Sequence, residues 1–191
     1  QADDIETVRM LLDAGADVNA ATADGTTPLL ASLYNWQTTR VPAGPAAGRR
    51  TRGPGLRFTA DIKLAGLLLD RGAKIGGTNA EGYTPLHGLL VSMVPVRAGG
   101  VNRGPAPPPP PVNPEAVALA KRLLDMGADP NKGTLYPTPG PVGDVRVNPA
   151  PPGSTPLHLA ATLSDAGIAN MMFAHGANPN QTRKDGHTPF T

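Results

Sequence analysis

Gly82-Tyr83-Thr84-Pro85-Leu86-His87 decides how this chain is read, because the chain writes it four times. It returns as Gly153-Ser154-Thr155-Pro156-Leu157-His158, and more loosely as Gly25-Thr26-Thr27-Pro28-Leu29-Leu30 and Gly186-His187-Thr188-Pro189-Phe190-Thr191. The threonine can accept a hydrogen bond from the open first turn of a helix, and proline fits the first helical position, where its missing N–H costs nothing. Glycine two residues before the threonine permits a tight turn at positive φ. The stretch is a turn that leads into a helix.

A second string sets the period. Leu11-Leu12-Asp13-Ala14-Gly15-Ala16-Asp17 is echoed by Leu68-Leu69-Asp70-Arg71-Gly72-Ala73-Lys74, by Leu123-Leu124-Asp125-Met126-Gly127-Ala128-Asp129, and by Met172-Phe173-Ala174-His175-Gly176-Ala177-Asn178. An apolar pair followed by glycine is a helix end with a left-handed cap. From that glycine to the next motif proline the chain runs 13, 13, 29 and 13 residues; from proline to the next glycine it runs 44, 42 and 20. The shortest path gives a period of 33 residues, in the range of helical repeat arrays.

With these strings in that order, the chain resembles an ankyrin-repeat array. The family pattern is T-P-L-H opening a first helix, a second helix ending L-L-x-x-G-A-D-x-N, and a β-hairpin finger leading to the next T-P-L-H. Thr155 to Asn180 follows it without a gap, and Asn19, Asn131 and Asn180 match its closing asparagine. Departures are local: Leu30 and Thr191 stand at the motif histidine, and Lys74-Ile75-Gly76 replaces Asp-x-Asn. The fold expected is all-α, an ankyrin-type solenoid of stacked helix pairs with hairpin fingers and long irregular inserts. A half repeat covers 1–23, repeats cover 24–80, 81–152 and 153–184, and 185–191 begin another. The opening helix, about 3–14, presents Ile5, Val8, Leu11 and Leu12 on one face. Helix pairs are expected at 27–35 with 60–71, 84–93 with 115–126, and 155–163 with 165–175. The chain reads as an excised piece with neither end capped.

Three inserts, about 37–57, 94–114 and 132–152, lengthen the repeats by 24, 22 and 16 residues over the shortest spacing. Glycine and proline, 23 each, concentrate in them, and all three are expected to pack on the helices or on a neighbouring molecule. The formal charge of +2 becomes −5 once Arg40, Arg49, Arg50, Arg52, Arg57, Arg97 and Arg103 are set aside. The framework is mildly acidic and the basic character lies in the inserts. Cysteine is absent, which excludes disulfides and thiolate chemistry, and no apolar run reaches the roughly 18–20 residues needed to span a bilayer.

Little in the chain reads as catalytic or metal-binding. His87 and His158 stand three residues after the motif threonine, where the resemblance implies a bridging structural ring. His175 precedes a helix-ending glycine, which suits a partial positive charge, and His187 lies in a finger. No histidine pair has metal-ligand spacing, and no cofactor is implied. Asp13, Asp70 and Asp125 share one repeat position, as do Asp17 and Asp129; a recurring residue marks scaffold, whereas catalysis needs one unique constellation. The arginine cluster behind Tyr34 and Trp36 could bind phosphates and stack bases, but it reads better as a solubilising or acid-pairing loop, so nucleic acid is disfavoured. Pro107 to Pro111 should form a polyproline II rod, favoured as a spacer over an SH3-type ligand. Asn180-Gln181-Thr182 matches a glycosylation acceptor, but Asn180 is already the motif asparagine.

The resemblance implies a non-enzymatic scaffold that binds a protein partner on the surface formed by fingers and first helices. The residues expected to touch it are Ala23, Asp24, Thr26, Glu81, Tyr83, Lys184 and His187 at the fingers, with Trp36, Arg49, Arg50, Arg52 and Tyr136 in the inserts. The alternative is a structural segment of a self-associating head-to-tail fibre, whose partner is a further copy of itself. The Pro/Thr/Gly-rich inserts and the missing cysteine resemble exported bacterial ankyrin proteins more than compact cytosolic adaptors.

Overall fold

The structure, a computed structural model, describes residues 2–39, 55–94, 112–135, 151–163 and 165–191. Among these the chain forms α1 (Ala2–Asp13), α2 (Pro28–Leu33), β1 (Asn35–Thr39), β2 (Gly55–Thr59), α3 (Ile62–Asp70), α4 (Pro85–Met93), α5 (Pro114–Asp125), α6 (Pro156–Thr162) and α7 (Ala166–Ala174). Both helix signals act as expected. Thr27, Thr84 and Thr155 cap α2, α4 and α6 with proline in the first turn. The second helices use Asp61, Asn113 and Asp165, whose side chains accept from Leu64, Glu115 and Gly167 N–H at 3.0, 3.0 and 2.7 Å.

The four helix-ending glycines build one device. Gly15, Gly72, Gly127 and Gly176 have φ between 81° and 95°. At each, the following alanine N–H reaches back to the carbonyl of Leu11, Leu68, Leu123 or Met172 at 2.9–3.0 Å. This is the Schellman closure of a helix end, and it satisfies carbonyls that would otherwise face the neighbouring repeat unpaired.

The helices stack in two rows. First helices α2, α4 and α6 pack in order, second helices α1, α3, α5 and α7 pack in order, and α2–α3, α4–α5 and α6–α7 pack as pairs. One leucine-rich core runs between the rows, with Leu29, Leu30, Leu33, Leu86, Leu89, Leu90, Leu123 and Leu157 fully shielded. On α1, Ile5, Val8 and Leu12 are half-buried, but Leu11, expected on the same face, is 55% exposed. It points away from α3, the element against which α1 packs.

The expected helix 27–35 ends early. Leu33 closes α2, and Asn35 begins β1, which pairs antiparallel with β2 in the register Asn35↔Thr59, Trp36↔Phe58 and Thr39↔Gly55. The base of the first insert is thus a two-stranded ribbon on an otherwise helical solenoid, and β2 lies against α4. The register pairs strand formers, Trp36 with Phe58 and Thr38 with Leu56. The packing expected of the inserts' remaining residues, and the rod at Pro107 to Pro111, fall outside the described residues. Leu124, at 3% exposure between α5's neighbours, gives a direct measure of the core. Its truncation to alanine should lower unfolding free energy by about 2–5 kcal/mol, read as a reduced urea midpoint with unchanged slope.

Candidate functional site

Four short fingers lie along one edge, each ending in a motif. Each is closed by a backbone bond across the turn: Thr22 N–H to Thr26 O (3.0 Å), Asn79 to Tyr83 (3.3 Å), Thr134 to Ser154 (3.0 Å) and Arg183 to His187 (2.9 Å). The third closure joins Thr134, near the start of the third insert, to Ser154 just past its end. Adjacent fingers bond to each other, Leu135 N–H to Glu81 O at 2.8 Å and Lys184 N–H to Pro152 O at 3.0 Å. Gly82 shows why the motif glycine is needed: φ is 81°, and a Cβ there would sit 2.9 Å from the Leu135 backbone nitrogen.

The motif histidines lock one repeat to the next. Thr84 N–H and hydroxyl both point at Nδ1 of His87, at 3.3 and 2.8 Å, while Nε2 reaches Ser154 O at 3.1 Å. A ring that accepts a backbone N–H on Nδ1 must carry its proton on Nε2 and be neutral. His158 repeats the arrangement with Thr155 and with His187 O at 3.3 Å. Burial lowers the pKa of His87 from 6.5 to about 4, against the opposing pull of the Ser154 carbonyl, and burial likewise lowers that of His158. At the fourth motif Thr191 substitutes its hydroxyl for the ring nitrogen, accepting from Thr188 N–H at 2.8 Å.

The segments between the helix ends and the fingers carry two further ties. Asn19 Oδ1 accepts from Lys74 N–H at 2.7 Å, and Asn131 binds Asn178 N–H at 2.7 Å and Gly176 O at 2.9 Å. The recurring aspartates form a ladder of ion pairs, Asp13 with Arg71 (2.7 Å), Asp70 with Arg122 (2.7 Å) and Asp125 with His175 (3.0 Å). His175 donates from Nδ1 to Met171 O at 2.8 Å and from Nε2 to Asp125. Both partners only accept, so the geometry favours the protonated ring, and the Met171 carbonyl, then Asp125, raise its pKa.

The sequence match confirms what the repeated ties describe. The family model described as "Ankyrin repeat" matches residues 152–184. The chain has an ankyrin-repeat fold. Mouse "Ankyrin repeat and SOCS box protein 16" is 28% identical over 203 aligned residues, covering 96% of this chain and 36% of that protein. "Putative ankyrin repeat protein YahD" of Escherichia coli (strain K12) is 27% identical over 180 residues, covering 89% of this chain and 73% of that protein. The chain thus spans about a third of the mouse relative's length. Ankyrin repeats are typically non-catalytic modules that mediate protein–protein interaction.

The fingers of this ankyrin array sort the expected contact residues. Ala23, Asp24, Lys184 and His187 are exposed, and Thr26 and Glu81 are half-buried. Asp24 is engaged locally: it takes the hydroxyls of Thr22 and of Thr26, the latter at 2.8 Å, and these two lower its pKa. Glu81 lies beside it, its pKa raised by burial first and also by the charge of Asp24, against a lowering bond from Asn79. Tyr83 must be withdrawn as a contact residue. It is 1% exposed, stacked on Tyr34 with centroids 4.8 Å apart and edge-on to His87 at 5.7 Å. The position after the motif glycine faces inward here because Gly88, 3.0 Å from Tyr34 Cβ by its would-be Cβ, leaves room for the ring pair. Trp36 sits in β1 opposite Phe58; Arg49, Arg50, Arg52 and Tyr136 lie outside the described residues.

First helices add little to the edge, since residues 85–90 of α4 and 156–160 of α6 are buried throughout. Positions overlooked in the sequence are Lys132, exposed on the third finger, and Arg183 with Asp185, paired at 3.1 Å on the fourth. Asp185 lies four residues before its motif proline, as Asp24 and Glu81 do, and that shared offset was the available signal; Arg183 and Lys132 share no offset with the chosen residues. Among the described residues no group of three or more acids and histidines could hold a metal.

The neutral ring makes a pH prediction. Unfolded, His87 takes a proton below about 6.5, whereas folded it resists until about 4. Its stabilising contribution is therefore complete above 6.5 and is lost as pH falls towards 4, by up to about 3 kcal/mol. His87→Leu should cost about 1–2 kcal/mol at pH 7 and flatten that acid limb in urea unfolding measured across pH 4–7.

Proposed function

We propose that the chain is a non-catalytic scaffold that binds a protein partner along its finger edge. The observation that carries this reading is the charge order of the row. Asp24 and Glu81 put adjacent carboxylates on the first two fingers, and Lys132, Lys184 and His187 stand exposed on the last two beside the Arg183–Asp185 pair. Backbone bonds between adjacent fingers hold part of this row in register, so a partner meets a preorganised strip, acidic at one end and basic at the other. A partner segment of opposite polarity would be oriented by it, with the gain mostly in association rate and specificity. Trp36 and the inserts bearing Arg49, Arg50, Arg52 and Tyr136 would extend the contact beyond the strip. The repeat boundaries 24–80, 81–152 and 153–184, and the exported bacterial setting, belong to the same proposal.

Head-to-tail self-association is the second reading. It is favoured by apolar side chains left exposed on both outer helix units, Met10 and Leu11 on α1 and the Phe173–Phe190 pair at 6.2 Å beside α7. Light scattering over a hundredfold concentration range tests it, and a constant monomer mass removes it.

For the scaffold, Glu81→Lys and Lys184→Glu, each at an exposed or half-exposed finger position, should leave the melting temperature within about 2 °C. Each should weaken capture of the partner about tenfold in affinity purification followed by titration with the identified protein. A wild-type partner profile and affinity for both variants would sink the finger-edge reading.

A further inference from the structure

We propose that the finger edge takes an extended partner segment in the polyproline II conformation, with a basic, a large apolar and an acidic residue at every third position, and that Leu135 is its apolar anchor. This rests on the finger-edge reading above and names the kind of segment that fits it.

The row is continuous at the level of the backbone. The motif glycine of each finger abuts the finger that follows. An added Cβ on Gly25 would lie 3.6 Å from Asn79 Cα, one on Gly82 2.9 Å from Leu135 N, and one on Gly153 3.2 Å from Lys184 N. Two of these contacts are also hydrogen-bonded, Leu135 N–H to Glu81 O and Lys184 N–H to Pro152 O. A finger is two chain segments wide, and hydrogen-bonded extended segments lie about 4.8 Å apart, so equivalent positions on successive fingers repeat about every 10 Å. A partner lying along the row must present a side chain at that interval. A polyproline II helix, with three residues per turn and a rise of about 3.1 Å, repeats each face about every 9 Å. A β-strand repeats a face about every 7 Å and is out of step by the second finger.

What each finger offers sets the order of residues. Ala23, Ala80, Leu135 and Lys184 hold one position, directly after the residue that closes the finger. Leu135 is 53% exposed, and its Cγ lies over Gly82, 2.9 Å from where a Cβ would stand. Beside it Pro151 and Pro152 are half-buried, and the Thr134 hydroxyl donates to Pro151 O at 3.1 Å. This apolar spot stands between the carboxylates of the first two fingers and Lys184 on the fourth. The carboxylates repel each other, since the charge of Asp24 adds to burial in raising the pKa of Glu81. A partner cation relieves that repulsion, a partner carboxylate meets Lys184, and a leucine-sized side chain between them covers Leu135. An apolar contact at the centre with charges at the rim is the arrangement in which a few residues carry most of the binding.

Fluorescence anisotropy with labelled synthetic peptides and the full chain tests this. The probes are K-P-P-L-P-P-E and its reversal, E-P-P-L-P-P-K, because the row accepts either chain direction. One of the two should bind with a dissociation constant below about 1 mM. Serine in place of the probe's leucine, or removal of one proline from each spacer, should weaken binding about tenfold. These probe-side changes read the fit independently of any effect on folding. Leu135→Ser and Lys184→Glu in the protein should weaken it to the same degree, with a melting temperature within about 2 °C of wild type. Failure of both probes to bind, or binding indifferent to the spacing or to Leu135→Ser, would overturn the proposal. Loss of native-partner capture by Lys184→Glu but not by Leu135→Ser would also overturn it, while leaving the broader finger-edge reading in place.

Discussion

A six-residue helix such as α2 cannot persist without neighbours, since isolated helices are marginal below about 12–15 residues, so the whole structure depends on holding one helix pair in register with the next. Leucine burial supplies the adhesion, but leucines alone permit sliding. Register comes from buried side chains that bond the backbone of the following repeat. The His87 ring is the clearest case. Its Nδ1 is committed to Thr84 within its own helix start, so Nε2 has one direction left, and Ser154 O lies along it. A group that caps its own helix and binds the next repeat makes secondary and tertiary structure a single event. The cost is that the ring must stay neutral, which ties the stack to pH.

The same joint contains the opposite requirement. His175 needs its proton to satisfy both Met171 O and Asp125, so its contribution is present below its ordinary pKa and fades as pH rises through the raised value. His87 acts in the reverse sense. The two do not cancel, because His87 is fully buried while His175 and Asp125 are partly open to water, where pair energies are small. The buried neutral ring dominates the pH response of this joint.

Most of the architecture was legible because repetition turns weak local signals into one strong one. A single Thr-Pro is an ordinary helix start; four at matched distances from four Gly-Ala ends specify a stacked array. Legibility failed where a residue's neighbour comes from another repeat. Tyr83 looks like a finger-tip aromatic along the chain, and only the combination of Tyr34 above it and Gly88 beside it draws the ring inside. Leu11 fails in the reverse direction, apolar by sequence and exposed because α1 packs on one side. The ribbon was visible in principle, since Asn35–Thr39 and Gly55–Thr59 carry strand formers. Its proline- and arginine-rich surroundings concealed it, along with the early stop of α2. The recurring aspartates were read correctly as scaffold, but their partners are less regular: Arg71 and His175 both precede a helix-ending glycine, while Arg122 lies one turn earlier.

The division of labour between buried and exposed motif positions explains where specificity can reside. Threonine, proline and the shielded histidine are fixed by caps and ties, and exchanging any of them disturbs two repeats at once. Finger residues such as Lys184 contribute their backbone to the row, as in the bond from Lys184 N–H to Pro152 O, so their side chains are free of structural duty. Even there the freedom is uneven. Asp24 spends its carboxylate on Thr22 and Thr26, and Asp185 spends its own on Arg183 and His187 N–H. Lys184 is exposed and offers its charge outward, while Glu81, half-buried and bonded by Asn79, offers its own only in part, which is why recognition of a partner by this edge should turn on Lys184 first and Glu81 next.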